Sequence, residues 1–216
     1  MELAKQIVSC PVSPRQLSEI AEKFPDLLIE QVEPFLVLSG QFELVLNGES
    51  FDSYSVRIEV EGFPKIEPKV FERGGRVKDG QHRNGSGTCC TCVFEVWRAG
   101  NPNASLVDFL TGPVRNFFLG HQEFERTKVW PFGELSHGLK GIVEAAAELL
   151  GISADEAKVT RYLRFLARRK GVRYRRCPCG SGDYLHHCHG NELRELHHKI
   201  EKAQAQSILQ RLLESK

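Results

Sequence analysis

No stretch leaves the backbone fewer choices than Cys177-Pro178-Cys179-Gly180-Ser181-Gly182 followed by Cys188-His189-Gly190. Two close donor pairs separated by a turn can wrap one metal ion with little loop entropy, and zinc prefers four tetrahedral thiolate or imidazole ligands. Pro178 stiffens the first pair, and the glycines free backbone amides to bend toward the sulfurs. His186 or His187 is an alternative to His189 as fourth ligand, and free or disulfide-bonded thiols are the alternative to metal. A catalytic zinc is disfavoured, because four protein ligands leave no position for substrate water. The seven cysteines fall into three groups (Cys10; Cys89, Cys90, Cys92; Cys177, Cys179, Cys188), an odd count that does not read as a secreted disulfide framework.

The same stretch resembles the SEC-C zinc motif, with Cys177, Cys179, Cys188 and His189 at the four ligand positions. Asp183-Tyr184-Leu185-His186-His187 replaces the lysine-rich filler of that motif. The resemblance implies structural Zn2+. Upstream, Lys158 to Arg176 holds nine Lys or Arg and no acid, leaving 20 bases against 28 acids elsewhere. A basic segment therefore sits on an acidic body. Arg161, Arg164 and Arg168 share a helical stripe that suits nucleic acid, an acidic protein or plain solvation; no aromatic interleaving supports single-strand stacking.

The remaining elements follow from periodicity. Ser13-Pro14-Arg15-Gln16 predicts a capped helix whose apolar face is Leu17, Ile20, Ala21 and Phe24, ended by Pro25. Runs at 35–38, 42–46 and 54–60, punctuated by Ser39-Gly40 and Asn47-Gly48, predict an antiparallel meander of three or four strands. Residues 74–87 read as a long surface loop. Helical periodicity resumes over 104–126 with an interruption at Gly112-Pro113, and again over 142–150. Ser153 is the expected cap of a helix to about Arg169, with Val159, Tyr162, Leu163 and Leu166 inside. Residues 191–213 read as one polar helix. With 41% hydrophobic and 26% charged residues the composition is that of a globular protein and excludes disorder as the main state. No apolar run nears the roughly 18 residues of a membrane span, and the first residues lack a signal-peptide pattern, so the expected location is cytoplasmic, with no membrane partner.

A second concentration of chemistry is Gln81-His82-Arg83-Asn84-Gly85-Ser86-Gly87-Thr88-Cys89-Cys90-Thr91-Cys92. A glycine loop delivers a thiol to the start of an apolar stretch, with an Asn amide six residues before Cys90. A thiol with pKa near ~8.5 needs only modest activation and leaves from a thioester about as readily as it adds. An Asn amide donating to a tetrahedral oxyanion can contribute roughly 3 kcal/mol. In an extended segment Cys90 and Cys92 share one face and Cys89 the other, so a metal site from this triplet alone is strained. A redox pair and inert buried thiols remain alternatives.

The order of a helix, a meander, Gly62-Phe63-Pro64, Pro68-Lys69-Val70-Phe71, a His-x-Asn element and a Gly-x-x-Cys element resembles ubiquitin-conjugating enzymes, specifically their bacterial relatives. The family's H-P-N falls on His82-Arg83-Asn84, with Arg83 in place of proline. Its G-S-[IL]-C falls on Gly87-Thr88-Cys89-Cys90, with Cys89 in the apolar position and therefore a competitor for the nucleophile. The resemblance implies Cys90 as the thioester-forming catalytic nucleophile, Asn84 as oxyanion or loop-ordering amide and His82 as a structural residue. Trp130-Pro131-Phe132-Gly133-Glu134-Leu135-Ser136-His137-Gly138 is similar to a W-P-x-G-E-x-x-H-G element of the bacterial relatives, in which Glu134 and His137 could assist proton transfer; otherwise Trp130 and Phe132 pack and His137 is structural.

Together these readings predict an α+β fold: residues 1–150 a ubiquitin-conjugating-like catalytic domain, residues 151–216 a helical basic module with the zinc knuckle. The implied activity is transfer of a ubiquitin-like modifier from an adenylating activating enzyme to a protein target, with a deconjugating metalloprotease as an occasional further partner. Rival readings are a catalytically inactive adaptor that binds protein or nucleic acid through the basic module, and a thiol oxidoreductase or Cys-His hydrolase using Cys90 and His137.

Overall fold

The computed structural model describes residues 12–131, 136, 138–168 and 175–215. Its first part runs α1 (Pro14–Lys23), β1 (Leu27–Val32), β2 (Phe35–Leu46), β3 (Glu49–Val60) and β4 (Lys69–Glu72). After a long loop come α2 (Phe94–Gly100), α3 (Leu106–Phe109), a π-helical turn (Leu110–Val114) and α4 (Arg115–Thr127). The rest is helical: α5 (Gly138–Leu150), α6 (Glu156–Leu166), a 3-10 turn (Leu185–His187), α7 (Gly190–Lys199) and α8 (Lys202–Glu214). This is an α+β chain, and none of its described helices is long and apolar enough to cross a membrane.

The chain divides into two compact units, residues 1–92 with 104–133, and 93–103 with 134–216. This division differs from the boundary expected at residue 150. α5 buries Ile142, Val143, Ala146, Ala147 and Leu150 in one core with Val159, Leu163 and Leu166 of α6, Ile208 and Leu212 of α8, and Val96 and Ala99 of α2. An apolar helix face goes where the matching apolar surface is, and for α5 that surface lies in the helical unit.

In the first unit the four strands form one antiparallel sheet in the order β1-β2-β3-β4, a simple meander. The period of two puts Leu36, Leu38, Phe42 and Leu44 of β2 on the face that also carries Tyr54, Val56, Ile58 and Val60 of β3, all buried. Phe24, beyond α1, stacks on Phe42 at 5.1 Å, and Phe118 of α4 on Tyr54 at 4.5 Å, closing the core. The runs at 35–38 and 42–46 are one strand, because Gly40 (φ +143°) continues the extended path where a Cβ would meet the Asp26 carbonyl oxygen at 2.0 Å. β1 was not foreseen; it is an edge strand with exposed Leu28 and Val32. Ser13 caps α1 as expected, its Oγ accepting from the Gln16 N–H at 3.4 Å. Gly112-Pro113 widens the helix into the π turn instead of ending it.

In the helical unit Asp155, not Ser153, caps α6: its carboxylate accepts the Lys158 N–H at 2.7 Å, and the helix ends at Leu166. Val159, Tyr162, Leu163 and Leu166 are buried as expected. The single helix expected over 191–213 is two helices, broken at Ile200-Glu201, where Glu201 and Gln204 form a capping box that starts α8.

Candidate functional site

The loop after β4 is pinned at its start by a buried carboxylate. Glu72, 7% exposed, accepts from the Gly74 N–H at 2.6 Å and the Val77 N–H at 3.1 Å. Arg76 then lies with its guanidinium 3.9 Å from the Tyr54 ring centroid. It donates to both carboxylate oxygens of Asp52 at 2.8 Å, to the Ser53 carbonyl at 2.8 Å and to the Glu125 carboxylate. The Arg76 hydrogen bonds hold the Asp52 and Glu125 carboxyls below their ordinary pKa.

Farther along, Gln81 Oε1 accepts the Lys78 backbone N–H at 2.8 Å and lies 3.2 Å from His121 Nε2. A backbone amide can only donate, so this atom of Gln81 is the carbonyl oxygen and His121 Nε2 carries the proton. Nδ1 therefore holds the lone pair and accepts from the Tyr54 hydroxyl at 3.0 Å. His121 is wholly buried, and burial lowers its pKa. This chain from β3 through α4 to the loop escaped sequence reading, since its partners lie 67 and 40 residues apart.

Directly after Gln81 the chain makes a tight hairpin. Arg83 pairs with Cys89 in an antiparallel bridge, the Asn84 N–H donates to the Thr88 carbonyl at 2.8 Å, and the Cys90 N–H donates to the His82 carbonyl at 2.7 Å. Gly87 (φ +84°) and His82 (φ +53°) take the left-handed conformations at the tip and stem. The Asn84 amide donates to Thr88 Oγ1 at 3.0 Å, so these opposed residues share a face. Arg83 and Cys89, the bridged pair, lie on the other. His82 sets its ring edge-on to Trp130 at 4.6 Å, and Trp130 stacks on Phe124 at 5.2 Å.

The adjacent thiols differ accordingly. Cys89 is 5% exposed and burial pushes its pKa up to about 12, whereas Cys90 and Cys92 are half-buried and none of the three is in a disulfide. Cys92 is followed by Val93, the N-cap of α2. Glu134, His137 and Cys10 lie outside the described residues. Trp130 packs against aromatic rings.

The C-terminal group converges on one point: Cys177, Cys179 and Cys188 Sγ and His189 Nδ1 all lie within 4.8 Å of one another. Cys188 Sγ lies 3.0 Å from His189 Nδ1, Cys177 Sγ 3.4 Å from the same atom, and Cys179 Sγ 3.6 Å from Cys188 Sγ. Two sulfurs each ~2.3 Å from a tetrahedral ion stand roughly 3.8 Å apart, so three thiols and an imidazole at these separations fit a small ion such as zinc. Among the described residues no other group of His, Cys, Asp or Glu converges in this way, the 89–92 triplet included.

The knuckle is built locally. Arg176 pairs with Tyr184, the Cys177 N–H donates to the Asp183 carbonyl at 2.8 Å, and Gly180 (φ +93°) and Gly182 (φ +86°) turn the chain between them. The Ser181 hydroxyl and backbone N–H hold the Cys179 thiol down at about 6, and burial pushes Cys177 up to about 11. Cys177 belongs to the helical unit's core, so closing the site and packing that core are one event. Arg161 of α6 donates from Nε to the Pro178 carbonyl at 2.9 Å, fixing the turn between the first two ligands. Comparison of the chain with protein-family models, curated proteins and solved structures gives no match.

Proposed function

We propose that this chain carries a ubiquitin-like modifier as a thioester on Cys90 and transfers it to an amine of a protein target, in the manner of a ubiquitin-conjugating enzyme. The observation that supports this reading is the 82–90 hairpin, in which Cys89 is buried while the next residue, Cys90, is half-buried and donates its backbone N–H to the His82 carbonyl. An N-terminal helix followed by a four-stranded antiparallel meander and then this loop supports it.

Cys90, deprotonated to solvent, attacks the carbonyl carbon of the thioester that joins the modifier to an adenylating activating enzyme. A new C–S bond forms, and the activating enzyme's cysteine leaves as thiolate. A target amine then attacks the Cys90 thioester; an amide C–N bond forms, the C–S bond breaks, the Cys90 thiolate leaves, and the proton given up by nitrogen passes to solvent. Asn84 orders the turn through Thr88, and its second amide hydrogen serves the oxyanion. Cys177, Cys179, Cys188 and His189 hold Zn2+, which keeps the module folded and takes no part in acyl transfer. The protein acts in the cytoplasm.

The test mixes the purified chain with a cognate activating enzyme, its modifier and ATP, resolved on a non-reducing gel. The expected band is heavier by one modifier, sensitive to reductant, lost in Cys90→Ala and kept in Cys89→Ala. No such band with demonstrably active partners overturns the reading in favour of an adaptor.

A further inference from the structure

Beyond the thioester reading, and independent of it, the knuckle presents a surface that the sequence did not reveal. Tyr184, 43% exposed, carries the Arg176 guanidinium 4.3 Å from its ring centroid. The His186 ring follows at 6.0 Å and 30° to Tyr184, and the His187 ring at 3.9 Å from His186; both histidines are exposed. The antiparallel bridge between Arg176 and Tyr184 and the 3-10 turn over Leu185–His187 hold this file of planar groups. Ordering them on binding therefore costs little entropy.

Positive charge adjoins the file. Arg175 is exposed on the same bridge, its carbonyl accepting from the Leu185 N–H. Arg161 of α6 is bonded to the knuckle at Pro178, exposed Arg164 follows it one turn along the helix, and exposed Arg168 lies just past the helix end. Between Lys158 and His189 the one acid is Asp183. An acidic peptide would use the arginines but has no planar faces to set on Tyr184 and His186, whereas a single nucleic-acid strand offers phosphates and bases together.

We propose that the exposed file Arg176–Tyr184–His186–His187 is a stacking platform for a single-stranded nucleic acid whose phosphates are held by Arg175, by Arg164 of α6 and by Arg168 just beyond that helix. In a duplex the bases are already stacked on one another, so the platform discriminates for single strands.

The test is fluorescence anisotropy of the full-length, zinc-loaded chain with labelled dT12, dA12 and a 12-base-pair duplex across a salt series. We expect binding of the single strands at low salt, weaker binding of the duplex, and a log–log salt slope near −2, as about three phosphate contacts on a single strand give. Tyr184→Ala weakens single-strand binding about tenfold or more, with Tyr184→Trp restoring it. Arg164→Glu with Arg168→Glu weakens it further and flattens the slope. Metal content, measured for each variant, shows that the knuckle is still formed. Equal affinity for single strand and duplex, competition by polyglutamate at equal charge, or a metal-loaded Tyr184→Ala that binds like the parent would each overturn the proposal.

Discussion

Removing the Tyr54 hydroxyl tests the hydrogen-bond logic behind the thiol loop. Because the Lys78 N–H fixes the Gln81 carbonyl and that carbonyl fixes the proton on His121 Nε2, Tyr54→Phe leaves the buried Nδ1 lone pair without its donor. An orphaned buried acceptor costs about 1–3 kcal/mol. The chain has two tryptophans, Trp97 in the helical unit and Trp130 in the sheet unit, so a Trp97→Phe background makes fluorescence report the sheet unit alone. In urea titrations read this way, Tyr54→Phe should lower stability by that amount, and the loss should shrink in a His121→Phe background. The pH dependence follows from the same proton. Burial sets the folded pKa of His121 below its unfolded value of ~6.5, so the unfolded state binds more protons and stability is lost as pH falls from ~6.5 toward the folded pKa. The slope is at most ~1.4 kcal/mol per pH unit for one site. Asp52, Glu125, Glu72 and Arg76 also act on His121, so the comparison is parent minus His121→Phe at each pH. A Tyr54→Phe loss below about 0.5 kcal/mol would refute the buried Tyr54–His121 hydrogen bond as a stabilising contact, and a parent-minus-variant difference flat from pH 7 to 5 would refute the buried neutral imidazole.

Two other perturbations probe the thiols. With a pKa near 12, Cys89 is about 10⁻⁴ thiolate at pH 8 against roughly a quarter for an ordinary thiol, so mass-spectrometric mapping of iodoacetamide labelling should find it at least a hundredfold slower in the folded chain than in the urea-unfolded chain; comparable rates would show that Cys89 is not held as described. Arg161→Ala removes the bond that fixes the Pro178 carbonyl, and Gly180→Ala puts a Cβ at φ +93° and 3.2 Å from the Arg161 guanidinium; each should weaken zinc about 10–100-fold in chelator competition, and unchanged affinity for both would leave the Arg161 clamp without effect.

Where elements were legible in the sequence, one local cause sufficed. Ser13-Pro14 announces α1 because capping is a matter of neighbouring residues, and the alternation in β3 is readable because one of its faces is buried along much of the strand. β1 gave no comparable alternation, having four of its six residues exposed. The division into two compact units was not legible for a different reason. The amphipathicity of α5 says that it packs on one side, not on which neighbour, and that neighbour comprises α6, α8 and the distant α2.

The two sites divide along the same line. A metal's ligands must reach one point, so short spacing in sequence already implies the 177–189 group. The platform beside it was hidden because Arg176 lies eight residues before Tyr184 and reaches its ring only through the Arg176–Tyr184 bridge. In the thiol loop, residue types located the chemistry, but choosing between Cys89 and Cys90 required the register. A slip of one residue in a hairpin exchanges its two faces. Here it would bury Cys90 and present Cys89, and what opposes it is the pairing of Asn84 with Thr88 through both backbone and amide, closed by Gly87 at positive φ. Asn84 therefore helps to fix which of the two thiols is buried, whatever further part its amide plays at a reacting carbonyl.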